Sequence, residues 1–193
     1  MIYIHHQKKG DIWFGVALEN NLIVATSFNK DEETVLKSIL RNIPFNRPFQ
    51  FTEEKTDLSR RVIETMKKVY DGEDVSRSFN FYMDHLTPFT RRVLQCVHLI
   101  PIGYVASYGG IAKAVGVPKG GRAVGNVMAK NPFAPLIPCH RVVYSNLKLG
   151  GYGGGLDLKL ELLKKEDRGY VRPVILNFFD EPLELFPIKC LLL

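Results

Sequence analysis

Residues 106–132 read ASYGGIAKAVGVPKGGRAVGNVMAKNP, and the fold of the second half of the chain turns on them. Ser107 stands where a helix would begin, with Ile111, Ala112 and Val115 as its apolar positions. A serine there can accept from the backbone N–H groups that a first helical turn leaves unpaired. Gly116-Val117-Pro118 is a sharp turn. A second helix is expected from about Gly120 to Lys130, stopped by Asn131-Pro132. Two short helices joined by a tight glycine-containing turn make a helix-turn-helix. The plainer alternative is an αα-hairpin packed into a core. Lys119, Arg122 and Lys130 at the ends of the second helix favour DNA, and Gly121, Ala123, Gly125 and Ala129 would let that helix approach a surface closely.

Upstream, HLTPFTRRVLQCVHLIP (85–101) offers Thr87 as a cap, Pro88 at the first helical position and Phe89, Val93, Leu94 and Val97 on one face. Cys96 on this helix reads as core. Residues 2–28 read as strands, with a hairpin turn at Glu19-Asn20-Asn21. Helices are expected from Asp31 to Leu40 and from Asp57 to Tyr70, and RNIPFNRPFQF (41–51) is a loop or edge strand. His5 and His6 are adjacent on a strand and so face opposite ways. No metal site is expected.

The chain has 193 residues, and 46% are hydrophobic, enough for a core without disulfides. Cys96, Cys139 and Cys190 are widely spaced with no Cys-x-x-Cys pair, which excludes a zinc ribbon. Neither a secretory leader nor a membrane span is apparent, so a reducing cytoplasmic setting is expected. The formal net charge is +6. Residues 1–84 carry twelve basic and thirteen acidic residues, whereas residues 85–170 carry twelve basic and four acidic. No acid lies between Asp84 and Asp157, a span holding Arg91, Arg92, Lys113, Lys119, Arg122, Lys130, Arg141 and Lys148. A one-sided positive field is the footprint expected for a polyanion partner.

The stretch NPFAPLIPCHRVV (131–143) sets Cys139 beside His140. Taken alone, Cys139 is a nucleophile, a metal ligand or a buried small hydrophobe, and most free cysteines are the last. Extended neighbours face opposite ways, so a Cys-His pair acting together needs a turned backbone. The glycines of GGYGGG (150–155) lack the context of a nucleotide-binding loop and read as a flexible pocket wall. A helix follows from Asp157 to Lys165, with Leu158, Leu162 and Leu163 inward and Glu166 at its end.

In SYGGIA, GRAVGNVM, NPFAPLIPCHRVV, GGYGGGL and KLELLKKE, in order over about residues 87–166, the chain resembles the O6-alkylguanine-DNA alkyltransferases (methylated-DNA–protein-cysteine methyltransferases). The resemblance implies an α+β chain. Its parts are an N-terminal ribonuclease-H-like small sheet with helices (1–84), a mostly helical DNA-binding and alkyl-acceptor domain with the helix-turn-helix (85–170), and a C-terminal extension of unknown role (171–193). It also implies direct-reversal repair by a monomer without cofactor. An O6-alkylated guanine in double-stranded DNA is flipped out, and its alkyl group passes once and irreversibly to Cys139. Carried over by position, His140 is the base acting through a water, Glu166 orients it, and Asn131 holds the turn around the cysteine. Tyr108 donates to a guanine ring nitrogen and crowds the flanking phosphate. The carbonyls of Cys139 and Val142 accept from the exocyclic amine, Tyr152 and Met128 wall the pocket, and Gly153 stands where relatives commonly carry serine. Arg122 fills the gap left by the flipped base, and Gly121 lets the helix approach the minor groove. Lys119, Lys130 and Arg141 are phosphate contacts or solvated surface.

A thiolate suits displacement at an alkyl carbon because it is a soft, strong nucleophile, and a histidine neighbour can lower a thiol from its usual value near ~8.5. A lesion-recognising DNA binder without chemistry is argued against by the presence of Cys139. A helix-turn-helix regulator sensing alkylation trails for want of an effector domain. Val174, Ile175, Leu176, Phe178 and Phe179 are too apolar for a free tail and are expected to pack as a strand or short helix. Cys190-Leu191-Leu192-Leu193 formally reads as a prenylation box, although nothing else in the chain suggests a membrane.

Overall fold

The computed structural model describes residues 1–191; Leu192 and Leu193, half of the formal prenylation box, lie outside the described residues. The chain is a mixed α+β protein of two compact units, Met1–His85 with Pro132–Leu136, and Leu86–Asn131 with Ile137–Leu193. The units thus interleave along the sequence, a feature that the simple succession 1–84, 85–170, 171–193 does not contain.

In unit 1, β1 (Ile2–Lys9), β2 (Ile12–Glu19) and β3 (Leu22–Asn29) form an antiparallel meander. Asn20 and Asn21 take φ of 49° and 62°, the left-handed pair that a two-residue hairpin requires and that asparagine tolerates. A short β4 (Phe49–Phe51) joins β1 in parallel, giving the order β3-β2-β1-β4. Helices α1 (Glu32–Asn42) and α2 (Asp57–Tyr70) are capped by Asp31 and Thr56. Val35 and Ile39 of α1 meet Ile2, Ile4, Ala17, Val24 and Ala25 in an apolar core. The returning segment is tied to β3, where Thr26 Oγ1 donates to the Ala134 carbonyl at 2.8 Å and Thr26 N to that of Pro132 at 2.8 Å. His6 Nε2 lies 2.9 Å from Glu32 Oε1, and His5 is buried.

In unit 2, α3 (Pro88–His98) starts on the expected Thr87 cap with Pro88 in its first turn, and Cys96 is buried in it. β5 (Tyr104–Ser107) runs into α4 (Tyr108–Ala114), whose Gly110 N–H donates to Ser107 Oγ at 2.9 Å. After a turn through Gly116 (φ 83°), α5 (Gly121–Ala129) packs back through Val124, Val127 and Met128. β6 (Val142–Val143) pairs in parallel with β5. α6 (Leu156–Glu166) follows the glycine loop.

The C-terminal residues complete this unit. β7 (Val174–Phe178) and β8 (Glu181–Pro187) form a hairpin, and β8 pairs antiparallel with β5, giving the order β6-β5-β8-β7. The expected strand is present, and of its apolar residues Phe178 packs inward, at 4% exposure. Leu183 and Leu185 of β8 are buried, whereas Ile175 and Phe179 are exposed.

Candidate active site

The backbone turns at the cysteine. Cys139–Arg141 is one turn of 3₁₀ helix, with Cys139 N–H donating to the Ile137 carbonyl at 2.8 Å and Arg141 N–H to that of Pro138 at 2.9 Å. Asn131 Nδ2 also donates to the Ile137 carbonyl at 2.8 Å, closing the neck of the 132–136 excursion just ahead of the turn. Cys139 is 6% exposed and lines a cavity of about 750 Å³. Tyr108, Gly121, Arg122, Met128, Tyr152 and Gly153 line the same cavity, so the structure brings most of the expected pocket and helix residues together. Gly151 joins them from the glycine loop expected as a pocket wall, and Gly125, Asn126, Tyr144 and Ser145 line the cavity without having been singled out for it.

Behind the cysteine lies a buried charge cluster. His140 and Glu166 are fully buried, and His140 Nε2 is 2.9 Å from Glu166 Oε1. Arg141 Nε donates to Glu166 Oε2 at 2.7 Å and Nη2 to Oε1 at 2.8 Å, the bidentate fork that guanidinium geometry favours. Its Nη1 donates to the Ile100 carbonyl at 2.5 Å. Arg141 is therefore neither a phosphate contact nor solvated surface: at 3% exposure it is an internal counter-ion. Burial pushes the Glu166 carboxyl up, but the His140 and Arg141 partners outweigh it and hold the group well below the usual carboxylate range.

Lys159 was not foreseen. Its Nζ donates to the Val142 carbonyl at 2.6 Å and also to the Leu149 and Gly150 carbonyls, tying α6 to β6 and to the glycine loop. Val142 is absent from the cavity lining, and its carbonyl is the one Lys159 holds. A carbonyl oxygen has two lone pairs, so one remains for another donor. The sequence did contain a signal: Lys159 shares an i, i+3, i+4, i+7 face with Leu162, Leu163 and Glu166, all buried. Burial lowers the ammonium to about 8, against a raising pull from Cys139.

Burial pushes the Cys139 thiol up, opposed by a hydrogen bond to Asn131 and the Lys159 charge, and the net direction is upward. The resting group is a protonated thiol that needs a base. Tyr108, pushed up to about 12 by burial and by Tyr144 and Cys139, keeps its proton at neutral pH and can donate it. Arg122, Lys119 and Lys130 are exposed, on or beside α5, and only Arg122 reaches the cavity lining. A Cβ at Gly150 would meet the Tyr108 ring at 2.9 Å, and its φ is 70°, so the loop passes the tyrosine closely because that residue is glycine.

Fold and site define a protein with a nearly buried thiol at a cavity wall, backed by a histidine–carboxylate–arginine cluster and edged by a short basic helix. Residues 88–168 match the model of the 6-O-methylguanine DNA methyltransferase DNA-binding domain. A methylated-DNA–protein-cysteine methyltransferase of Mycolicibacterium paratuberculosis is 48% identical over 92 residues, covering 48% of this chain and 54% of that protein. Another, from Methanosarcina mazei, is 38% identical over 115 residues, 59% of this chain and 72% of that protein. The O6-methylguanine-DNA methyltransferase structure from Pyrococcus kodakaraensis superposes with a TM-score of 0.65 at 28% identity, covering 86% of this chain and 99% of that one. The chain belongs to the methylated-DNA–protein-cysteine methyltransferase family. It spans about half the length of the curated mycobacterial relatives it matches. No described helix is long and apolar enough to cross a membrane.

Proposed function

We propose that this chain repairs DNA by direct reversal, taking the methyl group from O6 of a flipped guanine in duplex DNA onto Cys139, once and without cofactor. The observation that carries the reading is the buried His140–Glu166 pair, 2.9 Å apart, directly behind the one cysteine that lines the cavity. With Nε2–H given to Glu166, Nδ1 keeps the lone pair and serves as base, through a water, for the Cys139 thiol. Glu166 stabilises the imidazolium that forms. Asn131 holds the turn and the thiol.

The sulfur lone pair then forms an S–C bond to the methyl carbon as the C–O6 bond breaks, and its electrons return to the guanine. Tyr108 gives its proton to a guanine ring nitrogen and is reprotonated at the expense of the thiol proton. Atoms therefore balance as thiol plus O6-methylguanine giving thioether plus guanine. The thioether has no leaving path, so Cys139 is consumed. Carbonyls of Cys139 and Val142 accept from the exocyclic amine, and Tyr152, Met128 and the Gly153 backbone enclose the base.

The α4–turn–α5 pair is read as a helix-turn-helix. Gly121 would have only α4 backbone near an added Cβ, at 3.8 Å, so α5 can lie close to α4 and to a groove. Arg122 takes the place of the flipped base, and Lys119 and Lys130 meet phosphates. Unit 1 is read as a small ribonuclease-H-like sheet, for which the order β3-β2-β1-β4 with β4 parallel to β1 speaks. The chemistry is complete within one chain, and a free thiol acceptor suits a reducing cytoplasm.

The test is intact-mass analysis after incubation with O6-methylguanine duplex DNA. One CH2 gained per molecule, on the Cys139 peptide, is expected, and Cys139→Ala should bind without gaining it. Tight binding with no mass gain in the unaltered chain would leave only a lesion binder and overturn the proposal.

A further inference from the structure

The exposed face of α5 carries one polar side chain that the transfer chemistry does not use. Arg122, Asn126 and Ala129 follow one another at i, i+4 and i+7, so they share a face. All three are exposed, and all three line the cavity that holds Cys139, together with Gly125. Val124, Val127 and Met128 anchor the opposite face. The helix is not written for its own stability. Glycine and asparagine are poor helix formers, and Gly121, Gly125 and Asn126 make up three of its nine residues. What this composition gives is a thin helix. With ordinary side chains a helix is about 10–12 Å across, too wide for a minor groove of about 6 Å. With Gly125 and Ala129 outward, the backbone itself can come close to a groove floor. A Cβ at Gly125 would have only the Tyr108 ring near it, at 3.9 Å. From this thin face only Arg122 and Asn126 reach outward, and among the described residues no hydrogen bond engages the Asn126 carboxamide.

We propose, on the repair reading given above, that Asn126 reads a base pair beside the flipped guanine through the minor groove, and that transfer is faster where that pair is G·C. Four residues of helix rise about 6 Å, less than two duplex steps of about 3.4 Å each. With Arg122 in the gap, Asn126 therefore falls on the first or second pair from it. In the minor groove the pairs show N3 and O2 acceptors, and only G·C adds a donor, the N2 amino group of guanine. A carboxamide has a half of each kind. Nδ2 of Asn126 donates to an N3 or O2 acceptor whatever the pair, whereas Oδ1 accepts from N2–H only where a guanine stands. An A·T pair leaves Oδ1 in the groove without a donor, and an enclosed polar atom left unpaired weighs against that partner. Arg122 carries donors alone and cannot accept from the amino group, so the distinction falls to Asn126.

The test is the second-order rate of methyl transfer to Cys139 from duplexes in which one pair near the O6-methylguanine is changed at a time, at the first and second step on either side. Inosine for guanine deletes the N2 amino group and leaves the major-groove edge as it was. 2,6-Diaminopurine for adenine adds that group to an A·T pair. Transfer should slow about 3–10-fold from G·C to I·C at one of these steps, the worth of one hydrogen bond, and should quicken there from A·T to diaminopurine·T. The weaker I·C pair by itself makes the duplex easier to open, so slowing is the mark of a lost contact. Asn126→Ala should abolish both differences, with a thermal midpoint at least as high as that of the unaltered chain, because alanine is the better helix former. Asn126→Asp keeps the acceptor and loses the donor, and should keep the G·C preference at a lower overall rate. Single-stranded substrates should show no difference for any of the three proteins. Equal rates on G·C and I·C duplexes, or a preference that survives Asn126→Ala and so belongs to duplex deformability, would overturn the proposal while methyl transfer itself stands. No transfer from any substrate would overturn the repair reading, and this proposal with it.

Discussion

Glu166 is the residue on which the buried cluster depends, because one carboxylate holds both His140 and Arg141. Glu166→Gln leaves the Arg141 cation buried without its counter-charge, a change that costs about 3–5 kcal/mol when a buried pair is broken. A drop of that size in urea-unfolding free energy is expected, together with methyl transfer slowed by at least about 100-fold, as for loss of a proton-transfer partner. The pH dependence follows from the same carboxylate. Its folded value lies below its unfolded value near ~4.3, so its contribution is complete above the unfolded value and disappears as pH falls through the folded one. Acid unfolding of the unaltered chain should therefore steepen below about pH 4.3, and the Gln variant should lose that dependence. Lys159 runs the other way. With its folded value at about 8 and an unfolded value near ~10.4, the folded state binds fewer protons between the two, and stability gains from this group as pH rises through that window. Lys159→Met should flatten the rise in unfolding free energy measured between those limits. The variant should also slow transfer, since the loop and the Val142 carbonyl lose their common donor; full activity in Lys159→Met would sink that positioning role.

At the scale of the element, α5 separates binding from chemistry. Arg122 is exposed and lines the cavity, while Val124, Val127 and Met128 fix the helix from its other face. Flipping a base costs a few kcal/mol in a duplex and little in a single strand. Arg122→Ala should therefore slow transfer from duplex DNA about 10–100-fold, if the side chain supplies ~1.4–3 kcal/mol of that cost, and should barely change transfer from single strands. Equal slowing on both substrates would remove Arg122 from the gap-filling role. The helices themselves were legible because their signals are local: Asp31, Thr87-Pro88 and Ser107 act within one turn of chain. The same holds for the Asn20-Asn21 hairpin. The cysteine motif was legible because Asn131, Cys139 and His140 fall within ten residues. What escaped depends on distance along the chain. Arg141 looks like surface charge until Glu166 and the Ile100 carbonyl, 25 and 41 residues away, are brought to it. Lys159 looks like one more cation on a charged helix until three carbonyls surround it. The second sheet was missed because β6 has two residues and β5 four, too few to show a period, and because β8 closes on β5 from the far end of the chain.

For the whole molecule, burial changes what the charge count means. The acid-free span holds eight basic residues, but Arg141 is neutralised internally, so the field offered to DNA is smaller than the sequence suggests. Arg92, Lys113, Lys119, Arg122, Lys130 and Lys148 remain exposed. Each phosphate neutralised releases condensed counter-ions and adds about 0.9 to the slope of log K against log salt. If Lys119 and Lys130 meet phosphates, Lys119→Ala and Lys130→Ala should each reduce the slope by about 1 and weaken all sequences alike. Lys37 supplies the control. It is exposed in the charge-balanced first unit and already paired with Glu33 at 2.7 Å, so Lys37→Ala should leave the slope unchanged. Fluorescence-anisotropy titrations of undamaged duplex from about 50 to 200 mM salt measure all three. Equal reductions at all three positions would mean that the molecule attracts DNA through its net charge alone, and that α5 has no privileged place in the contact.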